Sequence, residues 1–168
     1  GLGKEMIAAV KGSIGSSMGL AGAALGGWMA WHFGRRPALI TCGVLQTASL
    51  LLYVACAFDP GDHRLIYAAS TAEHLLGGAA TVALFTLMMD ASDPDHAGTD
   101  YTLLACAIVF ATGLAGLCGG LLGDAAGYLG AFGLSTLLSG LGCLALVLGL
   151  DRGHGPARLA NAWPLRCA

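Results

Sequence analysis

The acidic and basic residues of this chain are spaced so that long stretches contain none of them. Residues 12–34 form a run of 23 without Asp, Glu, Lys or Arg, and residues 37–58 a run of 22. Residues 101–123 are clean for 23 positions and 125–150 for 26, while 65–89 is broken only by Glu73. A helix needs about 20 mostly apolar residues to cross about 30 Å of hydrocarbon. Five such segments follow one another, separated by short polar breaks. The composition agrees. Apolar residues make up 56% of the chain and charged residues 11%, less than half the roughly 25% that a water-facing surface carries. A soluble enzyme, a disordered chain and a disulfide-stapled miniprotein are excluded on these grounds.

Strands compete poorly, because the runs are too long, lack a period of two and are dominated by Leu, Ala and Gly. The sequence therefore predicts an all-α membrane protein, a polytopic helical bundle. Its five transmembrane helices fall at about 6–31, 38–58, 65–89, 101–122 and 128–150. Residues 1–150 form the transmembrane part, and 151–168, bearing Gly, Pro and Arg, form a flexible cytoplasmic tail. Gly123-Asp124 through Gly127 predicts a tight hairpin between the last two spans. The chain opens on Gly1 rather than Met and is read as a fragment without a cleavable signal peptide.

Lys and Arg set the orientation. Arg35, Arg36, Arg152, Arg158 and Arg166 lie on one side and Lys4 and Arg64 on the other. The Arg35/Arg36 loop and the carboxy tail are thus placed in the cytoplasm. Trp28, Trp31, Tyr67, Tyr101 and Tyr128 stand at span ends, where interfacial aromatics belong. A net charge of −2 gives no basic footprint, so no nucleic acid partner is expected. The six cysteines include no C-x-x-C pair and read as small packing residues.

The spans differ in kind. The first carries Gly12, Gly15, Gly19, Gly22, Gly26 and Gly27, and the fourth carries Gly113, Gly116, Gly119, Gly120 and Gly123. Small residues at helical spacing let backbones approach closely, so both spans are expected to pack against protein. The Leu-rich fifth span is expected to face lipid, as is the second apart from a side bearing Gln46, Thr47 and Ser49.

The third span holds an acid deep in an apolar run. Glu73 lies about 12 Å from the outer end, at 1.5 Å per residue. A carboxylate there costs on the order of 3 kcal/mol to insert and usually faces a cavity or a partner. Ser70, Glu73, Gly77 and Thr81 form one small-and-polar stripe. His74 projects about 100° away, so adjacency in sequence does not by itself make it the partner of Glu73, although it stays a possible one. Lys11 lies about 9 Å into the first span, at a depth similar to Glu73, and is the expected partner. Ser70, Glu73, His74, Thr81 and Lys11 are the candidate residues for substrate and proton coupling.

No H-E-x-x-H, G-x-S-x-G or phosphate-binding loop is present. Asp90, Asp93 and Asp95 read as a solvated acidic loop rather than a metal site. No enzyme activity, cofactor or metal is expected. A membrane-embedded enzyme and a non-transporting assembly subunit are the rival classes.

Gly27-Trp28-Met29-Ala30-Trp31-His32-Phe33-Gly34-Arg35-Arg36 resembles the G-x-x-x-D-x-x-G-R-R loop of the major facilitator superfamily of transporters, with Trp31 at the place of the usual Asp. The resemblance implies that the five spans are helices eight to twelve of a twelve-helix fold, the carboxy-terminal half. It also implies a missing amino-terminal half of the same chain as a partner. In that fold helices eight and eleven line the seam between halves, ten lines the cavity, and nine and twelve face lipid. Gly27, Gly34, Arg35 and Arg36 would then form a cytoplasmic gating loop.

Glu73-His74-Leu75-Leu76-Gly77-Gly78, the run Thr81–Asp90, and Ala97-Gly98-Thr99-Asp100-Tyr101-Thr102-Leu103 are similar to bacterial siderophore permeases of the rhizobactin/pyochelin type. AmpG-type muropeptide permeases are similar over the same helices, with Glu-Asn in place of Glu73-His74 and Thr-Gln in place of Thr99-Asp100. The Thr99-Asp100-Tyr101-Thr102 motif favours the siderophore branch. The resemblance implies proton-coupled import across the bacterial inner membrane. Its partners would be the lipid bilayer, a proton and a small-molecule substrate, siderophore or muropeptide. Two halves would rock about a midplane site, Glu73 would exchange a proton, Arg35 and Arg36 would latch one side, and Thr99, Asp100 and Thr102 would cap the start of the fourth span.

Overall fold

The structure, a computed structural model, describes residues 10–58 and 63–163, with side chains from Gly12 onward. Among the described residues every regular element is a helix. A π-helical turn, Val10–Ile14, leads into α1 (Gly15–His32). There follow α2 (Arg35–Phe58), α3 (His63–Ala91) and α4 (Ala97–Asp151), and then a 3-10 turn at Ala157–Ala160. Three of these, α2, α3 and α4, are long and apolar enough to cross a membrane.

α4 is 55 residues long and would measure about 80 Å if straight, at 1.5 Å per residue. It is not straight. Gly127 has φ +70° and ψ 175°, a conformation open essentially to glycine alone. It divides α4 into a first arm, 97–126, and a second arm, 128–151. The expected hairpin residue is thus the one that breaks the helix. The short link between α1 and α2 also turns on a glycine, Gly34, with φ +90°.

Packing follows the small residues of α1. It runs alongside α3 in the same direction, and Gly22 and Gly26 lie directly on the backbone of Leu75 and Ala79. A Cβ at either glycine would overlap those carbonyl oxygens, and one at Gly78 would overlap the carbonyl of Gly19. Backbones in such contact gain dispersion energy that lipid cannot match, since lipid gives helices no hydrophobic reason to associate.

The second arm of α4 lies antiparallel to α2. Tyr53 stacks on Phe132 at 5.2 Å, Thr47 Oγ1 and Ser139 Oγ share a hydrogen bond of 2.9 Å, and Gly43 meets the Cys143 sulfur. On the other face of this arm Leu137, Leu138, Leu141 and Leu144 are exposed, as a lipid-facing helix requires. The polar side expected for α2 is present: Thr47 makes the bond to Ser139, and buried Ser49 donates its Oγ–H to the Gln46 carbonyl at 2.7 Å.

The glycines of the first arm, from Gly113 to Gly123, have nothing within 4 Å of where a Cβ would stand, so nothing among the described residues packs on the stripe expected at a seam with protein. One expectation is corrected: residues 152–163, expected to be flexible, lie on the bundle. Leu159 and Trp163 are buried there in one cluster with Ala30, Ala38, Leu39, Cys42, Ala79, Ala83 and Leu87. A short apolar pair among Gly and Pro has no period to reveal it in sequence.

Candidate functional site

Two polar constellations interrupt this apolar bundle. The first lies in a groove of about 510 Å³ between α1, α2 and α3, lined by Gly19, Gln46, Glu73, His74, Gly77, Gly78, Ala80, Thr81 and Leu84. Helical spacing brings Glu73, Gly77 and Thr81 to the groove, as the stripe predicted. Ser70 departs from it. Its side chain is buried, and its Oγ has no hydrogen-bond partner among the described residues.

His74, which adjacency alone could not establish as a partner, does contact Glu73. Its Nδ1 lies 2.9 Å from Glu73 Oε2 and 2.8 Å from the Ser70 carbonyl oxygen, one turn earlier. The 100° between neighbouring side chains is a statement about Cβ directions. Glu73 has enough rotatable bonds to bring its carboxylate round to the imidazole. Both side chains are about a quarter to a third exposed, so the pair is shielded by helices but open to the groove. On the far side of the ring is Gly15, where a Cβ would stand 2.7 Å from His74 Cδ2 and Nε2. Lys11 lies in the π-helical turn, but its side chain, and so the expected pairing with Glu73, lies outside the described residues.

Gln46 is the residue that charge-counting did not place in the site. Its Oε1 is buried and has no hydrogen-bond partner among the described residues, although the residue lines the groove. A buried acceptor left unpaired costs on the order of 1–3 kcal/mol. A donor entering the groove would recover part of that cost. The arrangement therefore lines one depression with a carboxylate, an imidazole and an amide side chain.

The second constellation is at the arginine end. Arg35 Nε donates to Asp90 Oδ2 at 2.6 Å and its guanidinium also reaches the Ala30 carbonyl at 3.1 Å. Arg36 grips Asp151 with two bonds, 3.0 and 2.9 Å. The same carboxylate accepts from the Trp163 indole N–H at 2.8 Å. Arg36 first, and Trp163 second, hold Asp151 down to about 2. Arg158 pairs with Asp93 at 3.0 Å. Asp93 lies below the usual carboxylate range, chiefly through the Asp95 backbone N–H and then through Arg158. Trp31, at the place of the motif's Asp, is exposed and makes no such pair; Asp90 and Asp151 receive the arginines instead. Gly34 supplies the turn and Gly27 a close approach to Val82.

The subgroup motif does not cap α4. His96 occupies the cap position without a side-chain bond. Thr102 Oγ1 donates back to the Gly98 carbonyl at 2.6 Å, while Asp100 Oδ2 accepts the Asp93 backbone N–H at 2.9 Å and so ties the loop. Thr99 lies in the first turn with its N–H on the His96 carbonyl, and Tyr101 sets its ring edge-on to Phe85. The helix begins earlier than the charge-free run suggests, which moves these residues from the cap into its first turns.

A sequence profile of the Major Facilitator Superfamily matches residues 6–164. No curated protein and no solved structure matches the chain significantly. With nearly the whole chain matched, the chain belongs to the Major Facilitator Superfamily: a multi-pass membrane transporter.

Proposed function

We propose that this member of the major facilitator superfamily is the carboxy-terminal half of a proton-coupled importer, working by alternating access in the bacterial inner membrane. The observation that carries the reading is the contact of Glu73 with His74 in a groove otherwise walled by apolar helices. An acid placed at membrane depth beside an imidazole is suited to loading and releasing one proton as hydration changes. Thr81 and the unpaired Gln46 amide would meet the cargo, and Ser70 would position His74 through its carbonyl. Lys11 enters this reading as a cation at the depth of Glu73. The five spans of this half are α1, α2, α3 and the two arms of α4.

The Arg35–Asp90 and Arg36–Asp151 pairs fit a latch at the cytoplasmic end, with Gly27 and Gly34 shaping the loop that presents them. The motif Thr99-Asp100-Tyr101-Thr102 favours a siderophore as cargo over a muropeptide. The amino-terminal half of the transporter would complete the cavity by rocking against this one. Proton uptake by the full-length protein carrying Glu73→Gln tests the coupling. Substrate-driven proton entry is expected to be abolished, and accumulation that stays fully coupled removes Glu73 from the mechanism.

A further inference from the structure

The geometry around His74 fixes more than its contact with Glu73. A carbonyl oxygen only accepts, so a ring nitrogen 2.8 Å from the Ser70 carbonyl must carry a hydrogen. The Glu73 carboxylate at 2.9 Å favours a proton on the same nitrogen. Nδ1 is therefore protonated whether the ring is neutral or charged. Nε2 alone is left to change state, and it has no hydrogen-bond partner among the described residues. It rests on α1 at Gly15, where a Cβ would come within 2.7 Å of it.

We infer that His74 is held as the Nδ1–H tautomer and gains or loses its proton at Nε2, in the seam between α1 and α3, with Gly15 as the positioning residue that keeps the ring there. On uptake, the Nε2 lone pair takes one proton and the neutral imidazole becomes an imidazolium beside the Glu73 carboxylate. The pair passes from one negative charge to none, and no bond is broken. Release is the reverse.

The groups that face this site are few. Glu73 belongs to α3 itself. From α2, Tyr53 stands within electrostatic reach of Glu73, so it bears on the acid rather than on Nε2. From α1 the contacts are Gly15 and Gly19, neither of which titrates. Lys11 precedes Gly15, and its side chain lies outside the described residues. Any role in proton transport rests on the reading above, but the ring's state is measured without transport.

The test uses the full-length protein in lipid bilayers with 15N-labelled histidine, followed by solid-state NMR between pH 5 and 9. His74 is assigned by the signals missing from His74→Asn, with His74→Gln as the second variant should the first not fold. The neutral ring is expected to show a protonated Nδ1 and a bare Nε2, the latter alone changing on acidification. Gly15→Ala is expected to displace the ring and abolish that single-tautomer pattern, because the obstructing atoms are the movable end of a side chain. Gly19→Ala, whose Cβ meets only a carbonyl at 3.9 Å, is expected to leave it intact. A neutral ring protonated at Nε2, or His74 signals unmoved by Gly15→Ala, overturns the inference. Accumulation that stays fully coupled in Glu73→Gln, with the tautomer as stated, would overturn the coupling reading and leave this inference standing; loss of coupled uptake in Glu73→Gln with a neutral ring protonated at Nε2 would do the reverse.

Discussion

Two glycine stripes of similar spacing meet opposite fates in this molecule. Gly22 and Gly26 of α1 lie on the backbone of α3 so closely that neither position has room for a methyl group. Gly113, Gly116, Gly119, Gly120 and Gly123, on the first arm of α4, touch nothing among the described residues. Spacing alone marks a face on which a helix could approach. Whether one does depends on the facing surface. α3 offers Ala79 and Ala83, both buried, and Gly78, which itself leaves room for the α1 backbone. The first arm instead mixes its glycines with outward Leu114, Leu117 and Leu121.

The contrast is broken most forcefully at Gly22. Gly22→Ala places a methyl group on the Leu75 carbonyl, with backbone on both sides and no side chain to swing away. A loss of about 3 kcal/mol or more is expected, visible as a collapse of the thermal transition of the purified protein. An unchanged Tm would mean that the α1–α3 seam is looser than described.

A smaller fall is expected from Asp151→Asn, which weakens the joint of Arg36, the second arm and Trp163. The sign of its pH dependence follows from the depressed carboxyl. Asp151 ionises at about 2 in the folded chain, against roughly 3.9 in an unfolded one. Its contribution is complete above the unfolded value and is lost as the pH falls toward the folded one. The Tm gap between wild type and variant should stay constant from pH 8 to 5 and narrow below about pH 4. A gap that closes near neutrality would show that another group holds the joint.

Gly116→Ala should do least. With nothing within 4 Å of its Cβ, the variant is expected to gain on the order of 0.5 kcal/mol from helix propensity. A clear destabilisation in the full-length transporter would sharpen the comparison, since it would show that a helix from elsewhere covers this stripe.

The sequence made some of this plain and hid the rest for definable reasons. Charge-free runs located α2, α3 and α4, because a bilayer leaves no other use for such stretches. The α1 glycines announced a close approach, and the Leu-rich second arm announced its exposed face. Glu73, Gly77 and Thr81 were legible as a stripe because helical spacing alone brings them together. The contact of Glu73 with His74 was hidden, since it depends on side-chain torsions and not on position along the helix. Asp90 and Asp151 stand 55 and 115 residues from their arginines, so no local pattern could pair them. Leu159 and Trp163 were hidden for a related reason: a two-residue anchor has no periodicity, and only the surface it meets reveals it.

Gly127 has a bearing on topology larger than its size. Because the chain reverses there, Asp151 returns to the level of Arg36, and the Arg36–Asp151 pair becomes attainable. Were that residue to adopt ordinary helical angles, the second arm would continue as a rod away from α2 and its last turn would emerge far from its arginine. One backbone rotation therefore decides whether the second arm can lie along α2 at all.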